Sequence, residues 1–332
     1  MSVIARTSLV RGPAVVSYLS PADQATTVQF SVREDFEIKD SLETLIINTS
    51  AAAHADERAI EALSEASIVP AGIWKNNVIA AIYTPFATYR RGASLLTATD
   101  LPFIANAVDG EIHTIVAAAI TKIPDLYLSA KKTMIGSMSF SGYRAKGKGW
   151  NDANSLRTIA SGGTGVDANF TPAGIIVQPY TATWGAVAGF TSFDTQDGWT
   201  IRFNLKAEPI GVDSSGRIDI AFDEISVMAS CVPVGPTSSN ILAAQKFQGL
   251  TLPDGRGASL QNDGSGGVTP DLVISGVNDA GATSVTVGAA QLKTSGYKFG
   301  AHTLRVGEVG WVATRKFTAG VPQALFSMTA AS

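Results

Sequence analysis

The sequence predicts a mostly-β chain made of two tandem copies of one domain. Composition, an internal repeat and a period of two in the apolar residues lead to that reading. The 332 residues exceed one ordinary domain and fit two. Hydrophobic residues make up 45% and charged residues 16%, enough apolar material for a packed core and too little charge for a disordered chain. Glycine occurs 32 times. Thr, Val, Ile and Ser fall in short runs broken by Gly, Asp and Asn, the pattern of many short strands joined by turns.

The repeat is visible by self-comparison. Ala66, Ser67, Val69, Pro70 and Gly72 recur 163 residues later as Ala229, Ser230, Val232, Pro233 and Gly235, and Asn77, Ala80 and Ala81 recur as Asn240, Ala243 and Ala244. The pentapeptide Arg91, Gly92, Ala93, Ser94, Leu95 returns intact as Arg256, Gly257, Ala258, Ser259, Leu260. From Asp100 to Arg144 the copies align without a gap at an offset of 171, pairing Asp100 with Asp271, Gly110 with Gly281, Lys122 with Lys293 and Arg144 with Arg315. Non-identical pairs keep their chemistry: Phe103 faces Ile274, Leu128 faces Phe299 and Phe140 faces Trp311. Upstream, Phe36 and Ile38 face Trp199 and Ile201. The predicted organisation is a first domain at 1–145, a Gly/Asn/Ser-rich linker at 146–171 and a second domain at 172–332, each domain a barrel or sandwich with one short packed helix.

In chain order, 51–66 is a conflict, since its Ala and Glu content favours helix while its repeat partner alternates as a strand. The repeat argues for a strand over 59–69 and leaves 51–57 open. A helix is expected after each shared Pro-x-Gly, capped in the second copy by Thr237, Ser238 or Ser239. The segment 134–143 alternates Met134, Gly136, Met138, Phe140 and Gly142, and its partner 304–314 alternates likewise; both are predicted strands. Two adjacent strands follow from Trp199, Ile201, Phe203 and Leu205 and from Ile218, Ile220 and Phe222, joined through the turn-rich 211–216.

Sites for chemistry are not apparent. His54, His113 and His302 have no second ligand at a metal-binding spacing, so no metal is expected. No nucleophile elbow, phosphate loop or dinucleotide fingerprint occurs; Gly162, Gly163 and Gly165 read as linker flexibility. Neither Asp56 with Glu57 nor Asp223 with Glu224 forms a hydrolytic pair, because neighbours along a strand point to opposite faces. No catalytic residue, cofactor or enzymatic activity is expected. A net charge of −3 disfavours gripping nucleic acid. Arg144, Lys146, Lys148 and Trp150 read as a solvated loop or a subunit contact. Arg91 and Arg256 invite carboxylate partners at a domain or subunit contact, or a turn-stabilising role within each copy. Cys231 reads as a buried, inert thiol in a reducing compartment. Arg6 and Arg11 interrupt any signal-peptide core, and no run of about 18 apolar residues occurs, so cytoplasmic synthesis and no membrane association are expected.

These blocks, above all 121–144, 180–203 with Trp184 and Gly198-Trp199, 232–236 (VPVGP) and 304–320, resemble bacteriophage tail tube proteins, most closely the subtype with two tube domains in one polypeptide. The resemblance covers most of the chain. It implies a barrel or sandwich domain with one packed helix, rings stacked into a tube, and a lumen that genomic DNA crosses without specific binding. It further implies assembly in the host cytoplasm into a virion tail, with tape measure, tail terminator and distal tail proteins as partners. Two fused copies let three chains form a pseudo-hexameric ring. The alternatives are another ring-forming tail component, such as a distal tail or terminator protein, and a tandem sugar-binding β-sandwich. Trp184, Trp199 and Trp311 would have to be exposed platforms for the latter; strand patterns beside Val, Ile and Phe favour core packing.

Overall fold

The computed structural model describes residues 14–19, 27–32, 36–47, 56–70, 76–96, 100–107, 110–129, 136–148, 152, 154–165, 176–184, 193–212, 216–234, 271–278, 281–294, 307–314, 317–318 and 321–329. The chain is mostly β, with short helices. The first half runs β1 (Ala14–Leu19), β2 (Thr27–Ser31), β3 (Glu37–Ile47), β4 (Asp56–Ile68), α1 (Asn76–Ile82), α2 (Thr84–Thr88), β5 (Phe103–Ala107), β6 (Glu111–Ile115), β7 (Ala117–Lys122), β8 (Leu126–Leu128), β9 (Met138–Tyr143) and β10 (Arg157–Ser161). The second runs β11 (Ile176–Trp184), β12 (Asp194–Val212), β13 (Gly216–Val234), β14 (Leu272–Asn278), β15 (Gly281–Val287), β16 (Ala290–Thr294), β17 (Val309–Ala313), β18 (Phe317–Thr318), β19 (Val321–Pro322) and β20 (Phe326–Thr329).

Two sheets serve each half. The first half has β10-β6-β5-β1-β2 and β3-β4-β9-β7; the second has β11-β14-β15-β20 and β16-β17-β13-β12, to which β8 of the first half adds an edge strand. β18 and β19 form a separate two-stranded pair. Every described strand pairing is antiparallel.

The long hairpins share one register. Ile38 pairs with Ala66 as Ile201 pairs with Ala229, and both ladders slip at the same place, after Glu43↔Glu61 and after Lys206↔Glu224. The third strands follow suit, with Ala66 beside Phe140 and Ala229 beside Trp311. A bulge adds one unpaired residue and bends the strand, so a shared slip gives both hairpins their bend at one height.

Alternation buries one face of each sheet against the other. In the first half Phe140 meets Tyr18 and Phe103, ring centroids 5.0 and 4.6 Å away. At the matching place in the second half Trp311 meets Trp184 and Trp199 at 5.9 and 5.5 Å. All three tryptophans are buried in the core, as are Met138 and Cys231.

Two details differ from the sequence expectation. Residues 157–161 fall inside the segment read as a linker, yet they form β10, which pairs with β6 and closes the first outer sheet as β20 closes the second. Its burial is slight, with Ile159 64% exposed, so an edge strand of this kind leaves no alternating apolar signal. The helix after Pro70 and Gly72 is two short helices, because Pro85 at the start of α2 has no N–H for α1 to continue through. The counterpart helix after Gly235 falls outside the described residues. Between 56 and 68 the chain is strand despite its Ala and Glu, since pairing to β3 and β9 outweighs local propensity; 51–55 lie outside the described residues.

Phe140 has no accessible surface and sits at the centre of the first aromatic cluster. Truncating it, Phe140→Ala, is expected to lower unfolding free energy by about 3–5 kcal/mol in urea titration.

Candidate assembly interface

The sequence offers no catalytic constellation, and among the described residues no group of three or more His, Cys, Asp or Glu could hold a metal ion. Among the described residues two sets of contacts join the first half to the second. β7 ends at the edge of one sheet with Lys122, and after three intervening residues β8 begins at the edge of the other with Leu126. β8 pairs with β12 through Leu126↔Ile201, Tyr127↔Thr200 and Leu128↔Trp199. Leu126, Leu128, Trp199 and Ile201 are all at most 1% exposed. The connecting residues are held too: the Phe203 amide donates to Asp125 Oδ1 at 3.3 Å, and the Tyr83 hydroxyl donates to the Pro124 carbonyl at 3.1 Å.

Gly198 lets β8 come this close. Its φ is +77°, and a Cβ there would lie 2.2 Å from the Leu128 carbonyl oxygen. Any L residue would strain the backbone and collide with the strand that the site receives.

A second contact crosses the same seam. The loop carrying Arg91, Gly92, Ala93, Ser94 and Leu95 lies along β13. The Gly92 amide donates to the Phe222 carbonyl at 2.7 Å, the Phe222 amide to the Ala93 carbonyl at 2.8 Å and the Leu95 amide to the Ile220 carbonyl at 3.0 Å. Ser94 Oγ donates to Asp219 Oδ1 at 2.6 Å. Arg91 Nε donates to Asp223 Oδ1 at 2.8 Å, and Lys206 Nζ reaches the other carboxylate oxygen at 2.5 Å. Of the two roles the sequence left open for Arg91, its side chain takes the carboxylate partner, on the other half of the chain. Rings seal the seam behind it, with Tyr83 5.3 Å from Phe203 and Tyr89 6.0 Å from Phe222. The Lys206 hydrogen bond, helped by the Arg91 charge, holds the Asp223 carboxyl below its ordinary value; Asp223 in turn raises Lys206.

The corresponding edge in the first half belongs to β3. β3 has β4 on one side and, among the described residues, no strand on the other. Phe36 and Ile38 are only half-buried where Trp199 and Ile201 are sealed. A solvent-open depression of about 360 Å³ runs across the face of this sheet from Phe36 and Lys39 on the β3 side past Glu65 and Ser139 to Thr121 on β7. Leu42, further along β3, is 65% exposed.

The other sequence candidates separate. His113 on β6 accepts from Arg157 Nη2 at 2.8 Å through Nδ1; since a guanidinium only donates, its Nε2–H donates to Glu111 at 2.9 Å. Arg157 also pairs with Asp40, so this chain of charges pins β10 to both sheets. Arg144 is buried, donating to Ser155 Oγ at 3.0 Å. Of the cluster read as a solvated loop or a subunit contact, Lys146 and Lys148 are exposed and Arg144 is not; Trp150 lies outside the described residues. Gly162 and Gly163 are not mere flexibility: both amides donate to the Gly110 carbonyl at 2.9 Å, and a Cβ on Gly163 would lie 2.6 Å from Asn106 Oδ1. Burial pushes the Cys231 thiol up, which keeps it protonated and unreactive. His54, His302 and Arg256 fall outside the described residues, and for Asp56 and Glu57 only the backbone is described.

Two outcomes are expected at the seam. Gly198→Ala should cost about 1–3 kcal/mol from the positive φ alone and loosen β8, read as a red shift of tryptophan emission as Trp199 meets water. Asp223→Asn should lower the melting temperature near neutral pH. A carboxyl with a lowered folded value contributes above the ordinary carboxylate range and loses that contribution as pH falls through the folded value. The difference between Asp223→Asn and the parent should therefore be steady above about pH 4 and fade below it in thermal melts. No protein-family model matches this chain, and no curated protein matches it.

Proposed function

We propose that this chain is a structural subunit of a bacteriophage tail tube, two copies of one tube domain in a single polypeptide, assembling as stacked rings of three chains into a hollow conduit for DNA. The observation that carries the reading is the seam: β7, at the edge of a first-half sheet, leads through three residues into β8, which completes the edge of a second-half sheet, and among the described residues β3 has no strand beyond it. An exposed sheet edge is a template for further strands, and a ring consumes it. The shared register of β3–β4 and β12–β13 fits two equivalent wall segments per chain. Exposed Ile210, Val212 and Ile218 at the end of the long β12–β13 hairpin suit contact with a neighbouring ring.

On this reading the protein is not an enzyme and needs no cofactor. Its partners are copies of itself, the tape measure protein, and the terminator and distal tail proteins at the tube's ends; DNA passes without specific binding, as a slightly acidic subunit permits. It assembles in the host cytoplasm and ends in the virion tail. A sugar-binding reading draws no support from Trp184, Trp199 and Trp311, which are buried and offer no platform.

Negative-stain electron microscopy of concentrated protein tests the proposal. Long hollow tubes are expected, with three chains per ring by native mass of a released ring. Isolated rings alone would favour a terminator, dispersed monomers would reject the tube, and six chains per ring would place the second half outside the wall.

A further inference from the structure

Each half closes its outer sheet with a late edge strand, β10 on β6 and β20 on β15. The two edges are held by different means. β20 is held by its core face: Phe326 is 2% exposed, its ring lies 5.0 Å from that of Phe203, and Met328 packs against the core. β10 has no such face. None of residues 157–165 is buried, and Ile159, the one large apolar side chain among them, is 64% exposed.

The chain changes character at Leu156. Just upstream, Ser155 is buried; its Oγ accepts from Arg144 Nη1 at 3.0 Å and its carbonyl from the Ala145 amide at 2.7 Å. The Leu156 carbonyl accepts from the Val116 amide at 3.0 Å, and its Cδ1 sits so close to Gly142 that a Cβ there would lie 3.2 Å away. Downstream the contacts are polar. Beyond the ladder to β6 they are Arg157 on Asp40 and His113, the Gly162 and Gly163 amides on the Gly110 carbonyl, and the Thr164 and Gly165 amides on Asn106 Oδ1 at 2.8 and 3.4 Å. Asn106 belongs to the first half alone: at the 171-residue spacing its repeat partner is Val277, whose side chain accepts no hydrogen bond.

We propose that residues 157–165 are a strap that opens as one unit while the rest of the first half stays folded, with Asn106 as its clasp. A segment that buries little apolar area and is held by solvent-exposed hydrogen bonds opens at a fraction of the global unfolding free energy. The opening stops at Leu156, where burial begins. It has two effects. It bares the edge of β6 at 111–115, and a bare edge is a template for another strand. It also lengthens the connection between the halves: ten residues, 166–175, join the clasped strap to Ile176, whereas nineteen, 157–175, join Leu156 to Ile176 once the strap is free. β20 does not open in this way, because Phe326 would have to leave the core with it.

Hydrogen exchange of the full chain, followed by mass spectrometry on peptides covering 157–165, β5, β9 and β20, tests the strap. Amides of 157–165 are expected to exchange at least about tenfold faster than those of β5 and β9, and β20 to exchange with its core neighbours. Gly163→Ala puts a methyl 2.6 Å from Asn106 Oδ1. It should speed exchange across 157–165 by about tenfold, roughly the loss of one hydrogen bond, and leave β5 and β9 unchanged. Asn106→Ala should do the same, and Asn106→Asp, which keeps the accepting oxygen, should restore the parental rate. Exchange of 157–165 at the rate of β5 and β9 overturns the proposal, since the segment then opens only with the whole half; so does fast exchange confined to 162–165. Parental exchange across 157–165 in Gly163→Ala or in Asn106→Ala overturns the clasp. Should Asn106→Ala speed β5 as well, Gly163→Ala, which leaves β5 its own side chains, decides.

Discussion

Backbone hydrogen bonding along the outer edge of β12 is the constraint on which the rest of the molecule depends. Leu126, Tyr127 and Leu128 occupy that edge, and everything upstream and downstream is arranged so that they can. β7 must end at the rim of its own sheet, only three residues must separate it from β8, and position 198 must be glycine so that the incoming carbonyl fits. An edge strand left bare exposes unpaired donors and acceptors and invites indiscriminate pairing. Here the invitation at β12 is answered from within the chain, and Trp199 and Ile201 are buried as a result.

The polar contacts at the seam have a different role from the apolar ones. Arg91 is 75% exposed on its side chain, and an exposed ion pair contributes little to stability by itself. Its geometry selects the partner: Asp223 lies between Arg91 and Lys206, with Asp219 engaged by Ser94 two turns of the pleat away. The energy of the seam comes from burying β8 and from the rings of Tyr83, Phe203, Tyr89 and Phe222 packed together, where apolar area leaves water. Charge then sets which register the loop takes along β13.

The same division explains why β10 is held by charges. Its side chains are largely exposed and bury little. Backbone pairing to β6, the Arg157 contacts to Asp40 and His113, and the glycine turn against Gly110 fix it in place of a core face. A segment held in this way ties the first half's two sheets together just before the chain leaves for the second half.

The sequence by itself determined the β class, the strands around Phe140, Trp311, Trp199 and Ile220, the buried tryptophans and the buried thiol, because alternating apolar residues must face a core whatever the neighbours are. It left Arg91 open between a carboxylate partner and a turn-stabilising role, a choice that the contact with Asp223 makes. Strand β10 was hidden, since a polar edge strand is defined by the partner it pairs with and not by its own pattern. Arg144 looked solvated for the same reason: its burial depends on Ser155 and on the chain folding back over it. Only the tertiary structure decided that β8 leaves its own sheet for the other half and that the 91–95 loop lies on β13. Those are pairings between residues 70 or more apart in sequence, made by backbone groups that every residue carries alike, so no side-chain signal records them.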